Sequence, residues 1–222
     1  MAGKQITLDV NGRAVNACLA LPPEGSGPGV LVLHAWWGLN PFFRQLCDRL
    51  AEQGFVALAP DLRDGQVAKT VEEATALMQA SDEQAVGDTV MAAKDFLRAH
   101  ASVRGDKIGV IGFSMGAGWA LIVAGHKPDQ VAATVLFYGV GEVDPSKVTS
   151  KVQGHFSPED EWESFDYVQT LEQEMRAAGV DVTFYSYPGT KHWFVEDDRP
   201  EYDAGAARLA WERTFAFLRE NL

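Results

Sequence analysis

The chain has 222 residues, 46% of them apolar, which is enough to build a single core over one compact domain spanning 1–222 without disulfide or metal staples. A formal charge of −12, with no cluster of lysine or arginine, opposes a phosphate backbone and argues against nucleic acid as a partner. No apolar stretch approaches the ~20 residues that cross a bilayer, and Cys18 and Cys47 have neither metal-ligand spacing nor the density of a disulfide scaffold, so a soluble cytoplasmic protein is expected.

In chain order, two strands, 5–10 and 13–21, flank Asn11-Gly12, a pair suited to positive φ, and predict an opening hairpin. Residues 22–29 read as a loop and 30–33 as a central strand. Asn40-Pro41 supplies a cap and a first turn for a helix ending near Gly54, followed by a strand over 55–59. Thr70 with Glu73, and Ser81 with Gln84, have capping-box spacing and predict a short helix and then a longer one reaching Ala99. Strands are expected at 131–138, 151–156 and 180–187. A helix over 165–178, stopped by Gly179, separates the last two, and a helix from Ala204 to Leu218 closes the chain. Alternating strands and helices predict a mostly parallel α/β sheet with helices on both faces and a site beyond the strands' carboxyl ends.

That site centres on Lys107 to Gly118, KIGVIGFSMGAG. A buried strand meets an apolar helix at Ser114, and Gly112-x-Ser114-x-Gly116 removes β-carbons where the two must pack closely. The turn presents the hydroxyl, while the amide of Met115 at the helix start is a candidate oxyanion donor.

A serine nucleophile needs a histidine base and an orienting acid. His100 and His126 end helices and read as structural; His34 and His155 end strands and rank second. His192 lies in the loop after the last strand and follows the serine in chain order, so it is the expected base. The acidic loop 157–162 offers Asp160 as the acid, with Glu159 or Glu161 as substitutes. The amide of Trp36, after the first central strand, is the expected second oxyanion donor. Trp36, Trp37, Trp162 and Trp193 all fall in these loops, either walling a pocket or packing the loops together. The chemistry calls for no cofactor and no metal ion.

Over nearly its whole length the chain resembles the dienelactone hydrolase family of the α/β-hydrolase fold. The matching stretches are HAWWGLN from His34, FVALAPDL from Phe55, KIGVIGFSMGAG, FYGVG from Phe137, the loop of Asp160-Glu161-Trp162, and YPGTKHWF from Tyr187. The resemblance implies nucleophile Ser114, acid Asp160 and base His192, with Tyr138 lining the site. It also exposes departures. The family's dienelactone-cleaving members have cysteine at the position of Ser114 and a glutamate at that of Ala35. They have substrate-holding arginines where this chain has none between Arg63 and Arg98, and where it has Glu196. The expected function is hydrolysis of small esters or lactones by a Ser-His-Asp triad. The alternatives are acyl transfer or peptide cleavage by the same triad, or a non-catalytic binding protein. The sequence sets no oligomeric state, and a monomer is compatible with it.

Overall fold

The structure, a computed structural model, describes residues 3–222. The chain folds as two compact units, Met1–Ile108 and Gly109–Leu222.

In the first unit, β1 (Lys4–Val10) and β2 (Arg13–Ala20) form the expected hairpin, with Val10 opposite Arg13. Asn11 and Gly12 take φ of 54° and 82°, the pair of positive values that a two-residue turn requires, and the Gly12 amide donates to Asp9 Oδ1 at 2.8 Å. β3 (Gly27–Leu33) starts three residues before the expected strand, inside the predicted loop. Both strand glycines are places of close approach: a β-carbon on Gly27 would lie 1.9 Å from the carbonyl oxygen of Gly54, and one on Gly29 would crowd the side chains of Ile108, Leu97 and Val103 at 3.1–3.3 Å.

The helix α1 (Pro41–Glu52) is capped by Asn40, whose side chain accepts from the Phe43 amide at 3.2 Å. β4 (Val56–Pro60), buried at every residue, runs parallel to β3 and antiparallel to β2. α2 (Val71–Gln79) is capped by Thr70 as the spacing predicts. α3 (Glu83–Ala99) is capped by Asp82 rather than Ser81: Asp82 Oδ1 accepts from Gln84 at 3.0 Å and from Ala85 at 3.2 Å. A carboxylate satisfies two orphan amides and complements the positive end of the helix, which a hydroxyl one residue earlier does less well. α1 packs on β2 and β4, and α3 on β1, β3 and β4. Cys18 and Cys47, distant in sequence, are both buried free thiols here and hydrogen-bond each other.

β5 (Val103–Phe113) begins earlier than its apolar run, because residues 104–107 are exposed and carry no hydrophobic signal. The second unit continues with α4 (Met115–His126), β6 (Val131–Phe137), β7 (Lys151–Phe156), α5 (Phe165–Ala177), β8 (Val182–Ser186) and α6 (Ala204–Asn221). Two short 3-10 turns, Pro128–Gln130 and Pro145–Lys147, leave no mark on the hydrophobic periodicity. β6, β7 and β8 are parallel in register, with Phe137 opposite His155 and Phe156 opposite Ser186. Phe137 stacks on Phe113 at 4.7 Å and packs on Trp211 of α6 at 4.9 Å, forming an aromatic core beneath the strand ends. The strands order as β1-β2-β4-β3-β5-β6-β7-β8, an eight-stranded, mostly parallel sheet of the α/β-hydrolase class. Among the described residues no helix is long and apolar enough to cross a membrane.

Candidate active site

Four carboxyl ends in the second unit deliver the site. Ser114 follows β5, Tyr138 follows β6, Asp160 lies after β7, and His192 lies after β8. This is the edge where open α/β sheets gather functional loops.

Ser114 sits at φ 50° and ψ −118°, a region costly for a residue with a β-carbon. The surroundings hold it there. Its amide donates to the Phe137 carbonyl at 2.9 Å, and its own carbonyl accepts from Ala117 at 2.8 Å in the first turn of α4. A β-carbon on Gly112 would lie 2.2 Å from the Gly116 oxygen, and one on Gly139 would lie 2.4 Å from the Ser114 oxygen. Glycine is therefore needed at both places for strand, turn and helix to close around the serine. Met115 is the first residue of α4, so its amide lies at the positive end of that helix's dipole.

His192 is buried, and its two ring nitrogens face different partners: Nδ1 lies 2.6 Å from Asp160 Oδ2, and Nε2 lies 2.9 Å from Ser114 Oγ. A carboxylate can only accept, so Nδ1 carries the proton and Nε2 offers its lone pair to the serine hydroxyl. Asp160 is itself fixed, because Oδ1 accepts the amides of Trp162 at 2.7 Å and Glu163 at 3.0 Å. The other two carboxylates of that loop do different things. Glu159 is exposed and accepts from the Gly189 amide at 3.1 Å, and Glu161 is exposed beside Trp162. The Ser157 hydroxyl donates to the Thr190 carbonyl at 2.6 Å. These bonds staple the acid loop to the histidine loop.

The competing histidines are engaged elsewhere. His155 is buried, with Nδ1 2.7 Å from the Tyr187 hydroxyl and Nε2 near Gln153 and Thr214; burial pulls it down to about 3. His34 has Nδ1 against the Ala35 carbonyl and accepts the Leu62 amide at Nε2; burial lowers it to about 4. Burial favours the neutral ring in both, and their bonds go to backbone groups and to Gln153, Tyr187 and Thr214 rather than to the serine and the acid. His126 bonds back to the Ile122 carbonyl within its own helix, and His100 caps α3 while its Nδ1 accepts from Ser102.

Of the aromatic residues, Trp162 is 52% exposed and packs on buried Trp193 with ring centroids 5.5 Å apart; Trp193 meets the His192 ring edge-on at 4.8 Å. A notch of about 50 Å³ is lined by Glu161, Trp162, Lys191, His192, Trp193 and Glu201. Trp36 and Trp37 form the turn after β3 in the first unit, 5.3 Å apart, with Trp37 buried there. Tyr138 is fully buried at φ 38°, its ring 4.9 Å from that of His192, and its hydroxyl donates to Glu196 Oε1 at 2.6 Å. Glu196 is also fully buried, and burial pushes its carboxyl up to about 8. Sequence reasoning picks out both residues but not their bond, since no spacing rule joins positions that far apart.

A family model described as the dienelactone hydrolase family matches residues 15–222. Protein usf of Aquifex pyrophilus is 34% identical over 230 residues, covering 99% of each chain. Among solved structures, a dienelactone hydrolase-like promiscuous phosphotriesterase from metagenomic libraries superposes with a TM-score of 0.87 at 24% identity, covering 100% of this chain and 99% of that one. The dienelactone hydrolase of Anabaena variabilis does so with a TM-score of 0.75 at 19% identity over the full length of both, a likeness of fold. With a family model that covers all but the first strand and the start of the second, and a relative matched end to end, the chain belongs to the dienelactone hydrolase family of carboxylic ester hydrolases with the α/β-hydrolase fold.

Proposed function

We propose that the protein is a serine hydrolase of small carboxylic esters or lactones, working through an acyl-enzyme on Ser114. The observation that carries the reading is the single imidazole of His192, hydrogen-bonded at one nitrogen to Asp160 and at the other to Ser114.

In this reading His192 Nε2 takes the Ser114 proton as Oγ attacks the carbonyl carbon. The imidazolium that forms is stabilised by Asp160, whose second oxygen is anchored by two amides and cannot swing away. The Met115 amide, aided by the dipole of α4, receives the negative charge that develops on the carbonyl oxygen; one such donor accounts for about 3 kcal/mol of barrier lowering. His192 then passes its proton to the leaving alkoxide. In a lactone that alkoxide stays tethered to the acyl group. A water molecule, deprotonated by the same imidazole, releases the acid and restores the serine.

A serine whose proton is taken by a neutral imidazole needs no further acid to prepare it, which fits a buried Ala35 in place of the family's glutamate. Two reduced thiols fit work in the cytoplasm.

The test is Ser114→Ala. It should keep the fold by circular dichroism and lose on the order of 10⁴-fold or more in turnover of a short-chain aryl ester. An active-site-directed fluorophosphonate should label the wild type at Ser114. Ester turnover persisting in the alanine variant rejects the mechanism, and absence of labelling in the wild type favours a binding protein that keeps the fold without the chemistry.

A further inference from the structure

The base in the proposed mechanism is an imidazole ring, and hydrogen bonds at its two nitrogens leave it free to rock about the line joining them. Something must pack its face. Two rings pack against it: Trp193, its chain neighbour, edge-on at 4.8 Å, and Tyr138, the residue after β6, with ring centroids 4.9 Å apart and planes inclined by 58°.

Tyr138 is unusual for a packing residue because it is pinned from three directions. Its backbone is held at φ 38° between β6 and β7 by its amide, which donates to the His155 carbonyl at 2.9 Å. The residue before it, Phe137, accepts the Ser114 amide at 2.9 Å, and Gly139 after it lies against the Ser114 backbone. Its hydroxyl, deep in the interior, donates to Glu196 Oε1 at 2.6 Å. Glu196 belongs to the histidine's own loop, four positions on, where its amide closes a turn on the Trp193 carbonyl at 2.8 Å. A fully buried carboxyl is costly unless it has a job: Oε1 has Tyr138, and Oε2 is shielded from solvent with no hydrogen-bond partner among the described residues.

We propose that Tyr138 and Glu196 form one positioning unit, in which the hydroxyl–carboxyl bond ties the His192 loop to the strand end carrying Ser114 and fixes the tyrosyl ring that holds the imidazole between Asp160 and Ser114. The inference rests on His192 as the base. Neither residue touches the substrate in this role. Both act through the ring they orient, whose displacement by a fraction of an ångström weakens both of its bonds at once.

Three variants test it: Tyr138→Phe, which keeps the ring and removes the bond; Glu196→Leu, which removes the acceptor; and Glu196→Gln, which restores one. The readouts are kcat and KM on a short-chain aryl ester per fluorophosphonate-titrated site, and the far-downfield proton resonance of His192 Nδ1–H. Tyr138→Phe and Glu196→Leu should lower kcat on the order of 10-fold or more with KM within about twofold. Both should broaden the resonance through faster exchange, and Glu196→Gln should recover most of what Glu196→Leu loses in both. Wild-type kcat per titrated site and an unchanged resonance in Tyr138→Phe would overturn the proposal, even if that variant melts at lower temperature, because the bond would then be purely structural. Should Tyr138→Phe fail to fold, the leucine–glutamine pair decides, with no recovery in glutamine counting against the proposal. If the wild type itself neither turns over esters nor labels, the proposed function falls, while the resonance still reports whether the pair holds the ring.

Discussion

Ser114, Tyr138 and Trp193 all hold positive φ without being glycine, and all three surround the His192 imidazole or its hydroxyl partner. Each conformation costs about 1–3 kcal/mol and persists only because its neighbours leave no alternative. Gly139 is one of those neighbours. Its replacement by alanine would put a methyl group 2.4 Å from the Ser114 oxygen, so the turn has to open. Gly139→Ala should lower stability by about 2 kcal/mol or more in urea titration, and should slow fluorophosphonate labelling of the fraction that remains folded. Labelling at the wild-type rate would show that the elbow tolerates the shift. Glu196 gives a second residue-scale prediction. Its folded value is about 8 against an ordinary 4.5, so between those limits the folded chain keeps a proton that the unfolded chain has released. Stability therefore falls as pH rises from about 4.5 to about 8, and the penalty is complete above that, on the order of 5 kcal/mol for a fully buried group. The groups that bear on it are Tyr138 from the end of β6 and Asp198, Arg199 and Glu201 from its own loop; the two acids push in the same direction as burial. Glu196→Gln has no such titration, so its stability relative to the wild type should climb across that window in denaturant titrations at several pH values. A gap that stays flat from pH 5 to 9 would mean that Glu196 is charged throughout.

At the scale of elements, what can be read from sequence is what is encoded within a few residues. Asn11-Gly12 turns the hairpin, Asn40-Pro41 starts α1, and Gly54 and Gly179 end helices at positive φ, because each of these is a local backbone requirement. The same holds for the serine and the histidine: one sits in a pentapeptide shaped by its glycines and the other in the loop after the last parallel strand. The acidic loop after the strand already offers Asp160 ahead of Glu159 and Glu161, and the family resemblance strengthens that choice, because loop composition says little about which carboxylate turns inward. The structure shows why one does, through the two amides that hold Asp160 Oδ1. Contacts between distant residues are not legible in this way. Gly27-Pro28-Gly29 looks like a loop until Gly54 is seen to press against Gly27, and the Tyr138–Glu196 bond spans strand end and loop. The start of α3 differs by one residue from its sequence expectation because Ser81 and Asp82 are both good caps and only the folded chain ranks them. That ranking is testable: Asp82→Ala should cost about 1 kcal/mol in thermal or chemical denaturation, and Ser81→Ala a few tenths at most. Equal costs would restore Ser81 as the cap.

Across the whole molecule the charge of −12 is unevenly spread. Residues 157–163 and 190–203, the two loops that hold Asp160 and His192, contain nine carboxylates against only Lys191 and Arg199. Glu196 is the carboxyl held up to about 8, while Glu159, Glu161, Asp197 and Glu201 lie at or near the surface around the imidazole's loops. A substrate that carries its own carboxylate therefore approaches against a field of like sign, whereas a neutral ester does not. Fields of this kind act over the Debye length, about 30 Å at 0.01 M salt and about 3 Å at 1 M, so their effect on encounter is tunable by salt alone. For a matched pair such as 4-nitrophenyl butyrate and its ω-carboxylate analogue 4-nitrophenyl hemisuccinate, kcat/KM should favour the neutral ester on the order of 10-fold at low ionic strength. The ratio should shrink as sodium chloride is raised, because salt relieves repulsion of the anion and leaves the neutral ester almost untouched. A preference for the anion, or a ratio indifferent to salt, would mean that a local cation outweighs the acidic loops and that the substrate carboxylate is held rather than repelled.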